Sequence, residues 1–329
     1  MWQEYLRPTT VDDALQMLAD HGGQARVIAG GTDLVLQLRR GERQASCLVD
    51  VSRVDALRGI SEAGSFITIG AATTHAEVVR SLLIRERAAV LAQAAAEVGS
   101  AQVCNVGTLG GNVVNAQPAA DTALALLALG AEVQVVGVDG ARWVGLAELY
   151  EGPGASRVDS TAELVRAFRF RSPGWEGHGR ETCPSGRVPL IGSAYRRLGK
   201  CKSIALPVLC AATVVWLSRD ASAGSSNPAQ GGGSGNPPRA FREQLKFESV
   251  AIALGPVAPR PFRAASAEAW LVGRPATAET VAHAATLAQE EANPRDSLLR
   301  CSRVYRRAMV AVLVRSTLER AVGTMNNEQ

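Results

Sequence analysis

The stretch VIAGGTDL, residues Val27 to Leu34, places two glycines between a run of aliphatic residues and a polar Thr-Asp pair. The residues ARVIA up to the glycines favour a strand, and TDLVLQLRRG after them favours a short helix that ends at Gly41. At such a junction the first amide groups of the helix have no partner within the helix, and glycines let an anion approach them. The stretch therefore has two interpretations, a purely structural turn and a phosphate-binding turn. The spacing of its glycines does not match the GxGxxG fingerprint. It is not a P-loop either, because no Lys-Ser/Thr follows the glycines.

The residues around this turn form a small unit of alternating helices and strands that ends near Ser52. Thr10, followed three residues later by Asp13, is typical of a helix start, and the helix that follows ends near Gly22. The segment ASCLVDVS then predicts a second strand.

A second unit begins with FITIGA, Phe66 to Ala71, which predicts a strand. THAE, Thr74 to Glu77, is a capping-box pattern, and residues 85–98 are alanine-rich and predict a helix. The next residues, GSAQVCNVGTLGGNVVNAQPAAD, fit neither a helical nor a strand period, so we expect an irregular segment there. PAADTALALLALG predicts a helix, and AEVQVVGVDGARWV predicts a hairpin at Asp139-Gly140.

The irregular segment is a second candidate binding loop, because long irregular segments in compact domains are more often functional than not. Its glycines are accompanied by a hydroxyl, by amides and by a carboxylate, from Thr108, Asn112, Asn115 and Asp121. Two glycine-rich segments of this kind suggest an extended ligand with a pyrophosphate and hydroxyl groups.

Composition narrows the class of protein. The 329 residues suffice for two domains, and the net charge of 35 − 31 = +4 is spread along the chain, which argues against a nucleic-acid-binding protein. No signal peptide is visible, and the longest apolar stretch, residues 204–217, is too short to cross a membrane, so we expect a cytoplasmic protein. None of the six cysteines forms a CxxC pair, which argues against a metal or iron–sulfur site in this chain. We find no catalytic acid–base pair or nucleophile, and we interpret all four histidines as structural or solvated.

Five motifs occur in a specific order, namely VIAGGTDLVLQLRRG, VGTLGGNVVNAQPAADTALALLALGAEV, SAYRRLGKCKSIALPV, ALGPVAPRPFRA and LRCSRVYRRAMVAVLV. With this order the chain resembles the FAD-binding medium subunit of the molybdenum hydroxylase family, of the xanthine dehydrogenase and carbon monoxide dehydrogenase type. The resemblance implies an α+β fold. A two-subdomain FAD-binding domain, like that of vanillyl-alcohol oxidase, precedes a C-terminal α+β domain with a three-stranded antiparallel sheet and helices.

The expected domain boundaries follow from the resemblance and from composition. We expect the FAD-binding domain at residues 1–174, with subdomains at about 1–55 and 56–174, and a loop at 175–188. The C-terminal domain then covers residues 189–329 and ends in a helix from about Leu298 to Val322. Within it, residues 218–240 are rich in Gly, Ser, Pro and Asn and are predicted to be disordered.

The resemblance also implies FAD as the cofactor, and it implies site residues in several groups. The residues expected around the pyrophosphate are Ile28, Ala29, Gly30, Gly31, Thr32, Asp33 and Leu34. Those expected to form a second wall are Gly107, Thr108, Gly110, Gly111 and Asn112. Asn115 and Asp121 are expected to reach the pyrophosphate or the ribityl and ribose hydroxyls. In the alternative interpretation, the Asp121 carboxylate only stabilises the N-terminus of its helix through the helix dipole. Arg196 is expected near the flavin, with Lys200 one turn further on, and Leu164 or Val165 is expected to pack on a ring.

One position departs from the family pattern, because Cys104 precedes Asn105 where relatives usually carry arginine. We interpret Cys104 as a small buried hydrophobic residue. The implied function is electron transfer from a [2Fe-2S] small subunit to FAD and then to NAD+ or another acceptor, beside a molybdopterin-binding large subunit that oxidises the substrate. Two alternatives stay open, a stand-alone flavin oxidoreductase of the vanillyl-alcohol-oxidase-like superfamily and an assembly subunit without flavin.

Overall fold

A computed structural model of the protein describes residues 2–172, 190–200, 206–219 and 245–324. It confirms the α+β fold, with two larger sheets and a two-stranded hairpin in the N-terminal half of the chain and a four-stranded sheet in the C-terminal half. The predicted loop at 175–188 lies outside the described residues, as does the segment 220–240 of the predicted insertion. The domain boundaries therefore stay predictions.

The first subdomain is a three-stranded parallel sheet with strand order β1-β3-β2 and two helices. Its elements are β1 (Glu4–Leu6), α1 (Val11–Asp20), β2 (Ala25–Ile28), α2 (Leu34–Arg39) and β3 (Cys47–Asp50). The hydroxyl of Thr10 accepts a hydrogen bond from the amide of Asp13 at 3.1 Å, which stabilises the start of α1. All four predicted elements are confirmed, whereas β1 was not predicted.

The second subdomain contains a five-stranded antiparallel sheet with strand order β4-β5-β10-β6-β7 and six helices. Its strands are β4 (Ile60–Ala63), β5 (Phe66–Gly70), β6 (Glu132–Gly137), β7 (Gly140–Gly145) and β10 (Leu164–Arg171). A 3₁₀ turn at Asp55–Leu57 precedes the sheet. A second one at Leu146–Leu149 leads into a small hairpin, β8 (Tyr150–Gly152) and β9 (Ala155–Ser156). The helices are α3 (His75–Arg80), α4 (Leu82–Arg87), α5 (Ala89–Ala96), α6 (Ala101–Val106), α7 (Leu109–Val114) and α8 (Asp121–Ala128).

Two predictions for this subdomain were wrong. The single helix expected at 85–98 is two helices, because the backbone leaves the helical region at Ala88. The segment expected to be irregular contains α6 and α7, whose starts are capped by the hydroxyls of Ser100 and Thr108. The glycines in α7 have low helix propensity, so tertiary contacts rather than local preference hold this helix.

The C-terminal domain has an antiparallel sheet with strand order β11-β12-β13-β14 covered by helices. Three strands are long, β11 (Leu190–Leu198), β12 (Leu209–Arg219) and β13 (Leu245–Gly255), and β14 (Phe262–Arg263) adds two residues at the edge. The helices are α9 (Ala265–Leu271), α10 (Ala278–Glu291) and α11 (Arg303–Thr324). Strand β12 includes positions 218 and 219, which the prediction had assigned to the insertion.

The two faces of this sheet belong to two hydrophobic cores. On β12 the alternate residues Cys210, Ala212 and Val214 pack in the core that contains α5 and α8 of the N-terminal half. The intervening residues Leu209 and Ala211 pack against the C-terminal helices. Because successive strand residues point to opposite faces, one strand joins both domains.

Candidate functional site

A cavity of about 820 Å³ lies between the two subdomains and reaches the C-terminal domain. Both glycine segments line it, and Arg197, Leu206 and Pro207 close one end. Cavities of roughly 300–1,000 Å³ are typical of sites for organic ligands and cofactors.

The first glycine segment offers unpaired donors to this cavity. Between β2 and α2, the amides of Gly30, Gly31 and Thr32 donate no hydrogen bond to any described residue. Gly31 has a φ of +67°, a conformation that residues with a Cβ rarely adopt. Successive free amides at such a turn form a concave site for an anion.

Gly30 has a second role, which is packing against the other glycine segment. A Cβ on Gly30 would lie 2.6 Å from the carbonyl carbon of Val106 and 3.0 Å from the Cα of Gly107. The structural interpretation of this turn therefore applies to Gly30, whereas the phosphate-binding interpretation stays a prediction that rests on Gly31 and its neighbours.

The second glycine segment is a rigid wall whose amides are largely paired within the protein. Gly110 donates to the carbonyl of Ala71 at 2.8 Å, and Gly111 donates to the hydroxyl of Thr108 at 3.1 Å. A Cβ on Gly110 would lie 2.9 Å from the Ala71 carbonyl oxygen, so close backbone packing requires this glycine.

Two asparagines connect this wall to its neighbours. The side-chain oxygen of Asn112 accepts hydrogen bonds from the Thr122 hydroxyl at 2.8 Å and the Ala123 amide at 3.3 Å. The side-chain oxygen of Asn115 accepts from the Gln37 amide at 3.1 Å, which links α7 to α2. Both asparagines line the cavity.

Asp121 is buried where the two domains meet. One carboxylate oxygen accepts a short hydrogen bond from the Tyr195 hydroxyl and lies 3.5 Å from the Cys210 sulfur. The same oxygen is 3.7 Å from Nε of Arg197. Burial raises the pKa of Asp121, although the Tyr195 hydrogen bond and Arg197 oppose this rise. Asp121 thus joins α8 to β11 and β12 as well as facing the cavity.

The prediction for Arg196 does not agree with the structure. Arg196 is exposed on β11 and does not line the cavity, whereas Arg197 does. Because side chains alternate along a strand, adjacent arginines point to opposite faces. Lys200 lies just after the end of the strand and not one helical turn beyond Arg196. It is exposed, and its ammonium group donates a hydrogen bond to the Leu298 carbonyl at 3.4 Å. Leu164 and Val165 both line the cavity, at the start of β10.

The remaining predicted residues are all brought together in the cavity lining. They are Ile28, Ala29, Gly30, Gly31, Thr32, Asp33, Leu34, Gly107, Thr108, Gly110 and Gly111.

His75 is a cavity residue that the sequence reasoning classified as structural or solvated. It is the first residue of α3, it is buried, and its Nδ1 has no hydrogen-bond partner among the described residues. Its ring lies against Gly107, where a Cβ would be 3.3 Å from the imidazole Cδ2. Burial lowers the pKa of His75 to about 4, so the ring is neutral at physiological pH. A lone histidine in a capping-box motif carries no sequence signal for this position.

Two arginines at the other end of the cavity were also missed. Arg26 donates to the Ser160 hydroxyl at 2.6 Å, and Arg43 donates to the Gly154 carbonyl at 3.0 Å. Burial, followed by the nearby Arg43 cation, lowers the pKa of Arg26.

Cys104 has a different character, since its thiol donates to the Val98 carbonyl at 2.7 Å and burial raises its pKa. A protonated thiol of this kind is a poor nucleophile.

Within the ranges that the structure covers, no helix combines the length and apolar character needed to span a bilayer.

Fold and site together define a class of protein. A two-domain α+β chain whose free backbone amides face a long cavity between its subdomains is suited to a cofactor with a diphosphate, because amide donors and a glycine turn match such an anion.

Family comparison identifies the cofactor. The family model for the FAD-binding domain in molybdopterin dehydrogenase matches residues 2–170, and that for the C-terminal domain of CO dehydrogenase flavoprotein matches residues 239–321. The chain belongs to the family of FAD-binding medium subunits of the molybdenum hydroxylases, and its cofactor is FAD.

Individual relatives are similar to this chain over nearly its whole length. The chain is 27% identical to the xanthine dehydrogenase FAD-binding subunit of Escherichia coli O157:H7, over 97% of this chain and 95% of that protein. It is 28% identical to the carbon monoxide dehydrogenase medium chain of Afipia carboxidovorans, over 98% of both chains. A solved structure of carbon monoxide dehydrogenase from Hydrogenophaga pseudoflava superposes with a TM-score of 0.81, at 27% identity and 99% coverage of both chains. These relatives are dehydrogenase subunits, in agreement with an oxidoreductase subunit.

Proposed function

We propose that this chain is the electron-transfer subunit of a molybdopterin-dependent dehydrogenase. Electrons from a [2Fe-2S] small subunit reach FAD here and leave to NAD+ or another acceptor, while a molybdopterin-binding large subunit oxidises the organic substrate. The observation that carries the proposal is the set of free amides at Gly30, Gly31 and Thr32 facing a cofactor-sized cavity. The names of the relatives, which describe xanthine and carbon monoxide dehydrogenase subunits, support the class of complex.

In this proposal the first glycine segment holds the diphosphate. Its three free amides supply charge-assisted hydrogen bonds, and the positive φ of Gly31 directs them to one side of the turn. Ile28, Ala29, Asp33 and Leu34 flank this turn. The second segment, from Gly107 to Asn112, forms the opposite wall, which does not need to rearrange when the cofactor enters because its amides are already paired.

We place the flavin ring at the end of the cavity that the C-terminal domain closes. That end combines the apolar side chains of Val98 and Leu206 with the guanidinium group of Arg197, which also donates to the Glu97 carbonyl at 2.8 Å. Apolar walls suit an aromatic ring, and a nearby cation favours the more negative reduced state. The opposite end, with Arg26, Arg43 and Ser160, is polar and suits the adenosine part.

The polar interior is organised for binding and not for acid–base catalysis. When bound, FAD accepts electrons singly and can release two of them together as a hydride. His75 is neutral and Asp121 is engaged by Tyr195, so neither residue is arranged as a general base for an organic substrate. Asn115 and Asp121 remain the proposed partners of cofactor hydroxyls, and Leu164 or Val165 the proposed contact to a ring.

Co-purification with the products of neighbouring genes tests this proposal. We expect absorbance peaks near ~370 and ~450 nm that bleach on reduction, as for protein-bound flavin, together with iron–sulfur and molybdenum subunits. Addition of NAD+ to the substrate-reduced complex then restores the peaks if NAD+ is the acceptor. Turnover of an organic substrate by the chain alone would support a stand-alone oxidoreductase. A folded chain that stays colourless with added FAD would leave only an assembly role.

A further inference from the structure

A second, smaller cavity of about 200 Å³ lies where the two domains meet. The FAD-binding half contributes Pro118 and Pro153, and the C-terminal domain contributes Pro256, Asn293 and Ser297. Ala258 and Pro259 also line it, together with three arginines, Arg295, Arg300 and Arg306. No part of the proposed electron-transfer function uses these residues.

The three guanidinium groups bring positive charge together with no carboxylate in direct ion-pair contact among the described residues. Arg306 is buried and donates to the carbonyls of Val208 at 3.3 Å and Arg295 at 2.7 Å, and to that of Pro256. These carbonyls satisfy its donors but carry no charge to balance it.

Arg300 is the least satisfied of the three side chains. Its Nε is fully buried and has no hydrogen-bond partner among the described residues. Burial lowers the pKa of Arg300, and the nearby Arg295 cation lowers it further. Burial also lowers the pKa of Arg306, with smaller contributions from the Arg300 and Arg295 cations. The nearby carboxylate of Asp296 offsets part of the charge on Arg306, but one of its oxygens accepts the Arg303 amide at 2.6 Å.

An unpaired buried donor is costly, and clustered like charges repel each other. An anion in the cavity offsets the repulsion among the three clustered guanidinium groups. The volume is several times that of one water molecule, roughly 30 Å³, and lies below the roughly 300 Å³ at which pockets for organic ligands begin. It therefore suits a tetrahedral oxyanion and excludes a nucleotide.

We propose that this arginine-lined cavity is a binding site for a small oxyanion, with inorganic phosphate as the physiological candidate. The anion accepts hydrogen bonds from Arg300 and from the free donors of Arg295. Its binding thereby balances the positive charge of the three arginines where the two domains meet.

Calorimetric titration of the full chain with inorganic phosphate tests this site. The titration is done at saturating FAD, so that the amides of the large cavity do not contribute, and at constant ionic strength set with chloride. The test variant is Arg300→Gln. The matched control is Arg303→Gln, which removes the same charge from an exposed position on α11.

We expect one phosphate per chain in the wild type and in Arg303→Gln, and binding about tenfold weaker in Arg300→Gln, as for loss of a charged hydrogen-bond partner. Absence of saturable binding up to about 10 mM phosphate, or equal affinity in wild type and Arg300→Gln, would overturn the proposal. A chain that fails to bind FAD would refute the electron-transfer function alone, because the comparison of the two arginine variants still locates the phosphate.

Discussion

Gly30 and Val106 are in backbone contact across the boundary between the two subdomains. A Cβ on Gly30 would lie 2.6 Å from the Val106 carbonyl carbon, which is closer than real Cβ atoms approach. The contact brings the turn after β2 against the end of α6, and both border the cofactor cavity. The glycine is therefore required by the joint between subdomains, independently of any ligand.

Substitution Gly30→Ala should lower the free energy of unfolding by about 2–3 kcal/mol, because the obstructing atoms belong to the backbone and cannot rotate away. Urea denaturation of the full chain measures this change. Gly111→Ala is the matched control, since a Cβ there meets only the Thr108 hydroxyl at 3.2 Å and the position is exposed. It should stay within about 0.5–1 kcal/mol of the wild type. Equal losses in the two variants would contradict this role for Gly30.

Substitution Gly31→Ala should weaken FAD binding by about tenfold or more, because relief of the positive φ turns the free amides away from the cavity. Gly41→Ala provides the comparison, because the φ of Gly41, +71°, is close to the +67° of Gly31. A Cβ on Gly41 would meet no other atom within 4 Å. Both variants should lose about 1–2 kcal/mol of stability from backbone strain. Fluorescence titration with FAD separates them, and identical FAD affinities would exclude the first segment as the diphosphate site.

The buried imidazole of His75 should make the FAD-free protein sensitive to acid. Its pKa is about 4 in the folded chain, lowered by burial, against 6.5 for a histidine exposed to water. The unfolded chain thus binds the proton first as pH falls below 6.5, and stability declines from there towards pH 4. The loss attributable to His75 should reach on the order of 3 kcal/mol.

The measurement is urea denaturation at a series of pH values for wild type and His75→Leu. The variant should lack this part of the decline between pH 6.5 and 4, because leucine does not titrate. His283→Gln, at an exposed position, is the control for the loss of a histidine. Parallel curves for wild type and His75→Leu would show that His75 is not buried in its neutral form.

Replacement of the two adjacent arginines of β11 should have unequal effects. Arg197→Gln should weaken FAD binding about tenfold, because it removes the cation from the cavity end at which we place the flavin. Arg196→Gln should change the affinity less than about twofold, as expected for an exposed charge. The reverse order of effects would restore Arg196 as the residue near the flavin.

Much of the architecture was readable in local patterns. The apolar runs of β2, β5 and β13, the caps at Thr10 and Thr74, and the turn at Asp139-Gly140 depend on residues close in sequence. Their elements were confirmed for that reason. Helix α7 was missed because its glycines and asparagine disfavour a helix locally, whereas packing of Gly110 on Ala71 and the cap at Thr108 stabilise it. Helix α6, which was also missed, starts at a cap from the Ser100 hydroxyl.

The sequence by itself determined the family, the α+β fold and the two glycine segments that meet in the cavity, because each depends on ordered motifs and local periodicity. Only the tertiary structure decided that Arg197 and not Arg196 faces the cavity, that His75 is buried beside Gly107, and that Arg295, Arg300 and Arg306 converge. The orientation of a strand's faces, the burial of a titratable group and the distance between remote charges arise from packing between elements. A linear pattern does not encode them.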